Sequence, residues 1–377
     1  MNFLKLQLKL LAMNILYVLV EFWGVLRRKS KLENPQKICV LFLRNLGIGD
    51  LVMLSPAIQA LKDVFPQAEI DLVFWSESII NFQGIRTISL SEFKTNGIKY
   101  DLIISPTLNS RHLEFINRAT HWFGYFAKPK LQANFPINKY SYQIIKEHYL
   151  WRGIYLIKAL DKEKGDLLEK QASNKDVIYP ELLVERPNYF GSLENEKYLV
   201  VAPVSKFEDR QWPLKNFSQI IQKLAMERKI TKVVLLGDNS EHDRSFTNLL
   251  ISDLLGNNQI FWKDIIVDVV GKNKLSETIF LIKNSYLFIG LDSAPAHLAY
   301  LVAKKVLAIF ITVNPLLRLP LAKPVGSIKC LCPTDHDFVK YYSGLIPVGA
   351  QKAMKYAHSI TVERVLKEIE ILFSETL

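Results

Sequence analysis

Residues 38–66, ICVLFLRNLGIGDLVMLSPAIQALKDVFP, decide how the rest of the chain is read. Ile38–Leu43 is an unbroken apolar run. Without the polar alternation of a half-exposed strand, it reads as a strand buried on both faces, as in parallel sheets. Arg44, Asn45, Gly47 and Gly49 then form a short glycine-bearing loop. Asp50 stands where a helix N-cap belongs, ahead of Val52, Ala57, Ile58, Leu61 and Val64/Phe65 at helical spacing. A strand, a permissive loop and a helix start make a βα junction. In open α/β sheets ligands bind there, because the free N–H groups and the dipole of the helix face the crevice. The same pattern also serves a plain tight turn, with Asp50 as a cap only.

Working outward, 377 residues suffice for two domains, each with its own core. A hydrophobic share of 49% with 23% charge excludes disordered and collagen-like classes. The net charge of +11 is concentrated in two places. Residues 1–31 carry Lys5, Lys9, Arg27, Arg28, Lys29 and Lys31 against Glu21 alone. Residues 111–160 carry Arg111, Arg118, Lys128, Lys130, Lys139, Lys146, Arg152 and Lys158 against Glu114 and Glu147. Such patches suit a phosphorylated glycolipid, an anionic membrane or a nucleic acid, and they also serve solubility. Cys39, Cys330 and Cys332 form neither a disulfide framework nor a zinc-site spacing, which places the chain in a reducing, cytoplasmic compartment.

Leu10–Leu26 is nearly all apolar, but Asn14 and Glu21 interrupt it and it falls short of the roughly 20 residues of a spanning helix. No small-x-small cleavage site follows it. The expectation is an amphipathic helix within 1–33, lying on an anionic membrane face with basic residues at both ends, or packed on the protein itself.

The remaining pattern alternates strand and helix. Glu69–Trp75, Ile85–Leu90 and Asp101–Ser105 read as strands, Arg111–Ala119 and Tyr142–Leu160 as helices. Pro180–Lys197 has no sustained period and is rich in charge, Pro, Gly and Asn. The domain boundary is placed there, giving domains 34–190 and 191–377. Beyond it, strands are predicted at Tyr198–Val204, Thr231–Gly237, Ile265–Val270, Tyr286–Gly290 and Val306–Thr312, the last of these taken as the final clear strand. Helices are predicted at Leu214–Arg228, Ser240–Leu255, Leu275–Asn284, Ala294 to about Lys304, and Thr361–Phe373. The fold class is α/β, with two facing Rossmann-like domains and a cleft between them.

A second junction, Asp292-Ser293-Ala294-Pro295-Ala296-His297, opens a helix with Pro early, where its missing N–H costs nothing. Free N–H groups, the Ser293 hydroxyl and the His297 imidazole suit a diphosphate, although an ordinary helix start reads the same way.

These motifs together resemble glycosyltransferase family 9, the lipopolysaccharide heptosyltransferase-like group. The resemblance rests on Arg44, Gly49-Asp50, Leu54, Pro56-Ala57, Leu61-Lys62 and Phe65-Pro66, then Phe123-Gly124-Tyr125, Trp212-Pro213, Val234–Gly237, and Asp292-Ser293 with Pro295 and His297-Leu298-Ala299. It implies a GT-B fold whose carboxyl domain holds a nucleotide-sugar, typically ADP-heptose, and whose amino domain holds the acceptor. Transfer would invert the anomeric centre with no metal and no cofactor. Carried onto this sequence, Asp50 is the catalytic base, and Arg44, Asn45 and Gly49 face the acceptor. Ser205, Lys206, Arg210, Glu241, Asp292, Ser293, Ala294 and His297 face the donor. The acceptor implied is a phosphorylated or lipid-linked saccharide at the cytoplasmic face of the inner membrane, with no nucleic-acid partner. Three departures stand out: Arg210 in place of Lys before Trp-Pro, Thr312-Val313-Asn314-Pro315 in place of Gly and Thr-Asp-Pro, and Val204-Ser205-Lys206 in place of a small residue and Thr. A GT-B-shaped nucleotide-sugar epimerase, which would turn over donor without acceptor, stays open. So does a membrane-tethered polyanion binder, although no RNP, helix-turn-helix or zinc signature supports one.

Overall fold

The computed structural model describes residues 34–43, 46–76, 79–108, 110–126, 148–256, 259–334 and 350–375. The apolar helix expected within 1–33 and the loop residues Arg44 and Asn45 lie outside these. Among the described residues no helix is long and apolar enough to cross a membrane. By its contacts the chain falls into two compact units, Met1–Gly47 with Leu54–Gln171, and Ile48–Met53 with Ala172–Leu377.

The first unit opens with β1 (Lys37–Leu41), α1 (Ile48–Val64) from Leu54 onward, β2 (Glu69–Phe74) and the two-residue β3 (Ile80–Asn81). There follow β4 (Ile85–Ser89), α2 (Leu90–Thr95), β5 (Tyr100–Leu108), β6 (Ala119–Phe126), α3 (Leu150–Leu160) and α4 (Lys162–Ser173). Its five-stranded sheet has the order β4-β2-β1-β5-β6, every pair parallel. The continuous apolar run of β1 is buried throughout from Ile38 to Leu41, as a central parallel strand requires. In place of the helix expected over Arg111–Ala119 stands a 3₁₀ segment, Ser110–Arg118. Gly153 on α3 lies so near α1 that a Cβ there would sit 2.4 Å from the Ala57 Cβ, which explains a glycine inside a helix.

The second unit contains β7 (Glu181–Leu182), β8 (Tyr198–Ala202), α5 (Leu214–Met226), β9 (Lys232–Leu235), α6 (Glu241–Leu255), α7 (Gln259–Ile265) and β10 (Ile266–Asp268). It continues through α8 (Leu275–Lys283), β11 (Leu287–Leu291), α9 (Ala294–Val302), β12 (Lys305–Ile309), β13 (Ser327–Leu331), α10 (Ala350–Ser359) and α11 (Val362–Ser374). The six-stranded parallel sheet runs β10-β9-β8-β11-β12-β13. Counted from β8, that is the 3-2-1-4-5-6 order of a dinucleotide-binding sheet, and the direction of winding reverses between β8 and β11. β13 corrects the expectation that Val306–Thr312 ends the sheet. It is a half-buried edge strand entered through Gly326, where a Cβ would stand 2.0 Å from the Lys304 carbonyl oxygen.

The contacts divide the chain at 171/172, ahead of the 190/191 expected from composition. Leu182, Phe190 and Leu193 are buried among the polar residues of that stretch. Phe190 packs edge-on against Phe280 at 4.7 Å, and the Val177 N–H donates to the Leu321 carbonyl. Three scattered apolar anchors suffice to seat a segment without giving it a period.

Candidate active site

The loop after β8 is knotted by one side chain. Gln211 donates from Nε2 to the carbonyls of Pro203 (2.8 Å) and Trp212 (3.0 Å) and accepts the Ser205 N–H at 3.0 Å. Behind it, Trp212 is fully buried and donates from Nε1 to the Ile360 carbonyl at 2.9 Å. So held, the 3₁₀ turn Glu208–Arg210 presents the Arg210 guanidinium, stacked over the Phe207 ring at 4.6 Å.

Across the switch point, β11 is followed directly by Asp292, whose carboxylate is buried. Arg210 NH1 stands 3.0 Å from its Oδ2, and His297 Nε2 stands 3.6 Å from Oδ1. Burial, the largest influence, pushes the carboxyl up. The His297 imidazole and the charges of Arg318 and Arg210 outweigh it and hold the pKa down at about 2. Asp292 is therefore an anion at neutral pH. Two buried nitrogens of this cluster, Arg210 Nε and His297 Nδ1, have no hydrogen-bond partner among the described residues. Leaving such groups unpaired costs about 1–3 kcal/mol each, a cost that a polar ligand can remove.

α9 starts here. Ser293 is extended and its hydroxyl donates to the Leu291 carbonyl at 3.2 Å, so it does not cap the helix by its side chain. The N–H groups of Ala296 and His297 turn back to the Ser293 carbonyl, and Pro295 has none. Among the described residues, the N–H of Ala294 is the first-turn donor not turned back on the Ser293 carbonyl.

Arg318 joins the cluster from a third junction. After β12, Asn314 caps a single 3₁₀ turn, Pro315–Leu317, by accepting the Leu316 N–H at 2.8 Å. The Arg318 N–H closes the turn on the Pro315 carbonyl at 2.9 Å. Asn314-Pro315, a departure from the family pattern, is thus the device that presents Arg318. Its NH1 lies 3.7 Å from Asp50 Oδ1, a contact within the second unit, to which Ile48–Met53 belong.

Asp50 is not the cap. α1 begins at Ile48, so Asp50 is the third residue of the helix, still in the first turn where the dipole favours a carboxylate. The start comes early because the Leu46 N–H folds back to the Leu43 carbonyl and Trp75 Nε1 holds the Leu46 carbonyl at 2.7 Å. Beside it, Gly49 packs on the His297 ring so closely that a Cβ would meet Cδ2 at 2.6 Å.

The structure therefore brings together Gly49, Asp50, Arg210, Asp292 and His297, with Ser293 and Ala294 at the same helix start. Ser205 is buried on the Arg210 loop, where its Oγ accepts the Phe207 N–H, and Lys206 is exposed beside it. Glu241 is exposed at the first position of α6. That helix follows β9, which is separated from β11 by β8 and so lies outside the cluster. Arg318 and Gln211 were not among the residues read from sequence. The only signal for Arg318 was a cation after an Asn-Pro turn at the carboxyl end of a strand.

Two doubly wound parallel units, one carrying a buried charge cluster at its switch point, define the GT-B class of α/β proteins. The structure of ADP-heptose lipopolysaccharide heptosyltransferase II from Escherichia coli shares the fold, with a TM-score of 0.63 and 17% identity, covering 89% of this chain and 98% of that one. So does an iron-containing dodecameric glycosyltransferase, TibC of enterotoxigenic Escherichia coli, with a TM-score of 0.56 and 13% identity over 91% of this chain and 77% of that one. Lipopolysaccharide heptosyltransferase 3 of Escherichia coli K12 is 23% identical over 335 residues, 79% of this chain and 92% of the relative. The model of glycosyltransferase family 9 (heptosyltransferase) matches residues 96–340, more than half of the chain. The chain belongs to glycosyltransferase family 9 and is a glycosyltransferase.

Proposed function

We propose that this enzyme moves a heptose-like sugar, with inversion and without a metal, from an ADP-linked donor to a lipopolysaccharide-core or other lipid-linked or phosphorylated saccharide. The observation that carries the reading is the Arg210–Asp292 pair at the switch point, with unpartnered nitrogens on Arg210 and His297. A diphosphate laid against the start of α9 would accept from Arg210 and from the Ala294 N–H, where the helix dipole favours negative charge. The ADP-heptose named for the E. coli structure and the lipopolysaccharide named for the K12 relative support these choices of donor and acceptor.

In the reaction, the acceptor oxygen bonds to the anomeric carbon from the face opposite the nucleotide, and its proton passes to an Asp50 carboxylate oxygen. The bond from that carbon to the diphosphate oxygen breaks, and its electron pair leaves with the nucleoside diphosphate. Arg210 and the helix start stabilise the charge that develops there. Asp292 remains ionised and holds Arg210 in place. Two guanidiniums, Arg210 and Arg318, supply cationic charge of the kind a divalent ion would bring.

Asp50→Asn tests the reading. Losing a first-turn carboxylate costs about 0.3–2 kcal/mol of stability. The transfer rate should fall by roughly 10²–10⁴, the contribution of a general base, and chelator should leave the wild-type rate unchanged. A folded Asp50→Asn enzyme transferring at the wild-type rate would contradict the assignment. Loss of the wild-type rate in chelator would contradict metal independence.

A further inference from the structure

We infer that Arg318 is shared between Asp50 and the donor. In the free enzyme it stands beside the carboxylate of Asp50, and on binding the diphosphate takes it over, so that donor binding draws this cation away from the base. The inference rests on the function proposed above and adds to it a positioning residue that couples the two substrates.

Three observations carry it. Arg318 NH1 is 3.7 Å from Asp50 Oδ1, and both side chains remain partly accessible, 17% and 23%. The charge of Arg318 also reaches Asp292, so the guanidinium stands within the field of the donor cluster as well as beside Asp50. Its backbone is fixed by the Asn314-capped turn while the side chain extends from the end of that turn, which lets the head group change partners without moving the loop.

Electrostatics gives the direction. A guanidinium beside a carboxylate attracts it and competes for its oxygens with an incoming hydroxyl. Asp50 meets that competition until something draws the cation away. A diphosphate carries more charge than a carboxylate, and its oxygens match the planar guanidinium fork in a two-point contact. It is the stronger competitor. Asp50 and the diphosphate then oppose each other through one cation, and by linkage whatever weakens the Asp50 contact must tighten the diphosphate.

Calorimetric binding of ADP to the full chain, with inorganic pyrophosphate as a second probe, tests this on wild type, Asp50→Asn, Arg318→Gln and the double variant. Arg318→Gln should weaken ADP about tenfold and Asp50→Asn should tighten it about tenfold, within the range of directly coupled residues. In the Arg318→Gln background, Asp50→Asn should have no further effect. Arg318→Lys, which keeps the charge without the fork, should fall between wild type and Arg318→Gln, and it replaces the latter if that variant does not fold. Equal tightening by Asp50→Asn in both backgrounds would mean simple repulsion and would overturn the inference. So would an unchanged affinity in Arg318→Gln or in Asp50→Asn. Additive effects with intact transfer would remove the sharing and leave the proposed function standing. Binding of pyrophosphate but not ADP, with the coupled pattern, would keep the sharing and remove the adenine nucleotide. Binding of neither by folded wild-type protein would overturn both.

Discussion

Asp292 is the residue on which the charge balance of the site turns. Its carboxyl, held at about 2, lies below the roughly 3.9 of an unfolded aspartate. A depressed folded value means stability present above pH 4 and lost as pH falls towards 2, because the unfolded chain takes up the proton first. The pH-dependent part amounts to about 2 kcal/mol. Asp292→Asn should therefore be less stable than wild type at pH 6, and the gap should narrow by that amount between pH 5 and pH 2. A gap of constant size in thermal melts across that range would show that Asp292 is not held ionised by its neighbours. At this scale the sequence revealed what sits at βα junctions, since Arg210 and Asp292-Ser293 with His297 each follow an apolar strand directly. Asp50 was read as the cap, whereas the helix starts three residues earlier than that reading requires, just after a Leu46 carbonyl held by Trp75, 29 positions from Leu46. Arg318 was not read at all. It is nine positions beyond β12, and only the path of the Asn314 turn returns it to the cluster.

Helices and strands set the precision with which these groups meet. The contact of α1 with α3 depends on Gly153, because a side chain there would displace Ala57 and would meet Leu54 Cδ2 at 3.3 Å. In an open helix, Gly→Ala would add up to about 1 kcal/mol of stability through propensity. Here overpacking should reverse the sign and cost about 1–3 kcal/mol. Gly153→Ala is expected to lower the melting temperature, and a raised one would show that the two helices have room to spare. Period and burial made the central strands legible, since β1, β8 and β11 are uninterrupted apolar runs. They failed at the sheet margin. β13 (SIKCL) is short, half-buried and follows a Lys-Pro-Val-Gly approach, so neither alternation nor a long apolar run marks it. α4 (KEKGDLLEKQAS) was missed for a similar reason, having few apolar residues and a glycine where the chain doubles back on Lys158.

In the whole molecule, two parallel sheets each reverse their winding beside the first strand, and each places a βα loop at that reversal. This repetition was legible because both halves restart the same alternation of strand and helix. Where the contacts divide the chain was not, since burial of Leu182, Phe190 and Leu193 depends on partners far away in sequence. In the proposed function the first loop supplies the base and the second seats the leaving group. The most direct measurement supplies the purified full-length enzyme with ADP-heptose, with and without a lipopolysaccharide-core acceptor, and follows ADP release together with the anomeric configuration of the product. One ADP released per sugar transferred, only with acceptor present and with inverted configuration, is the predicted result. Turnover of the nucleotide-sugar at the same rate without acceptor, or a product of retained configuration, would contradict it.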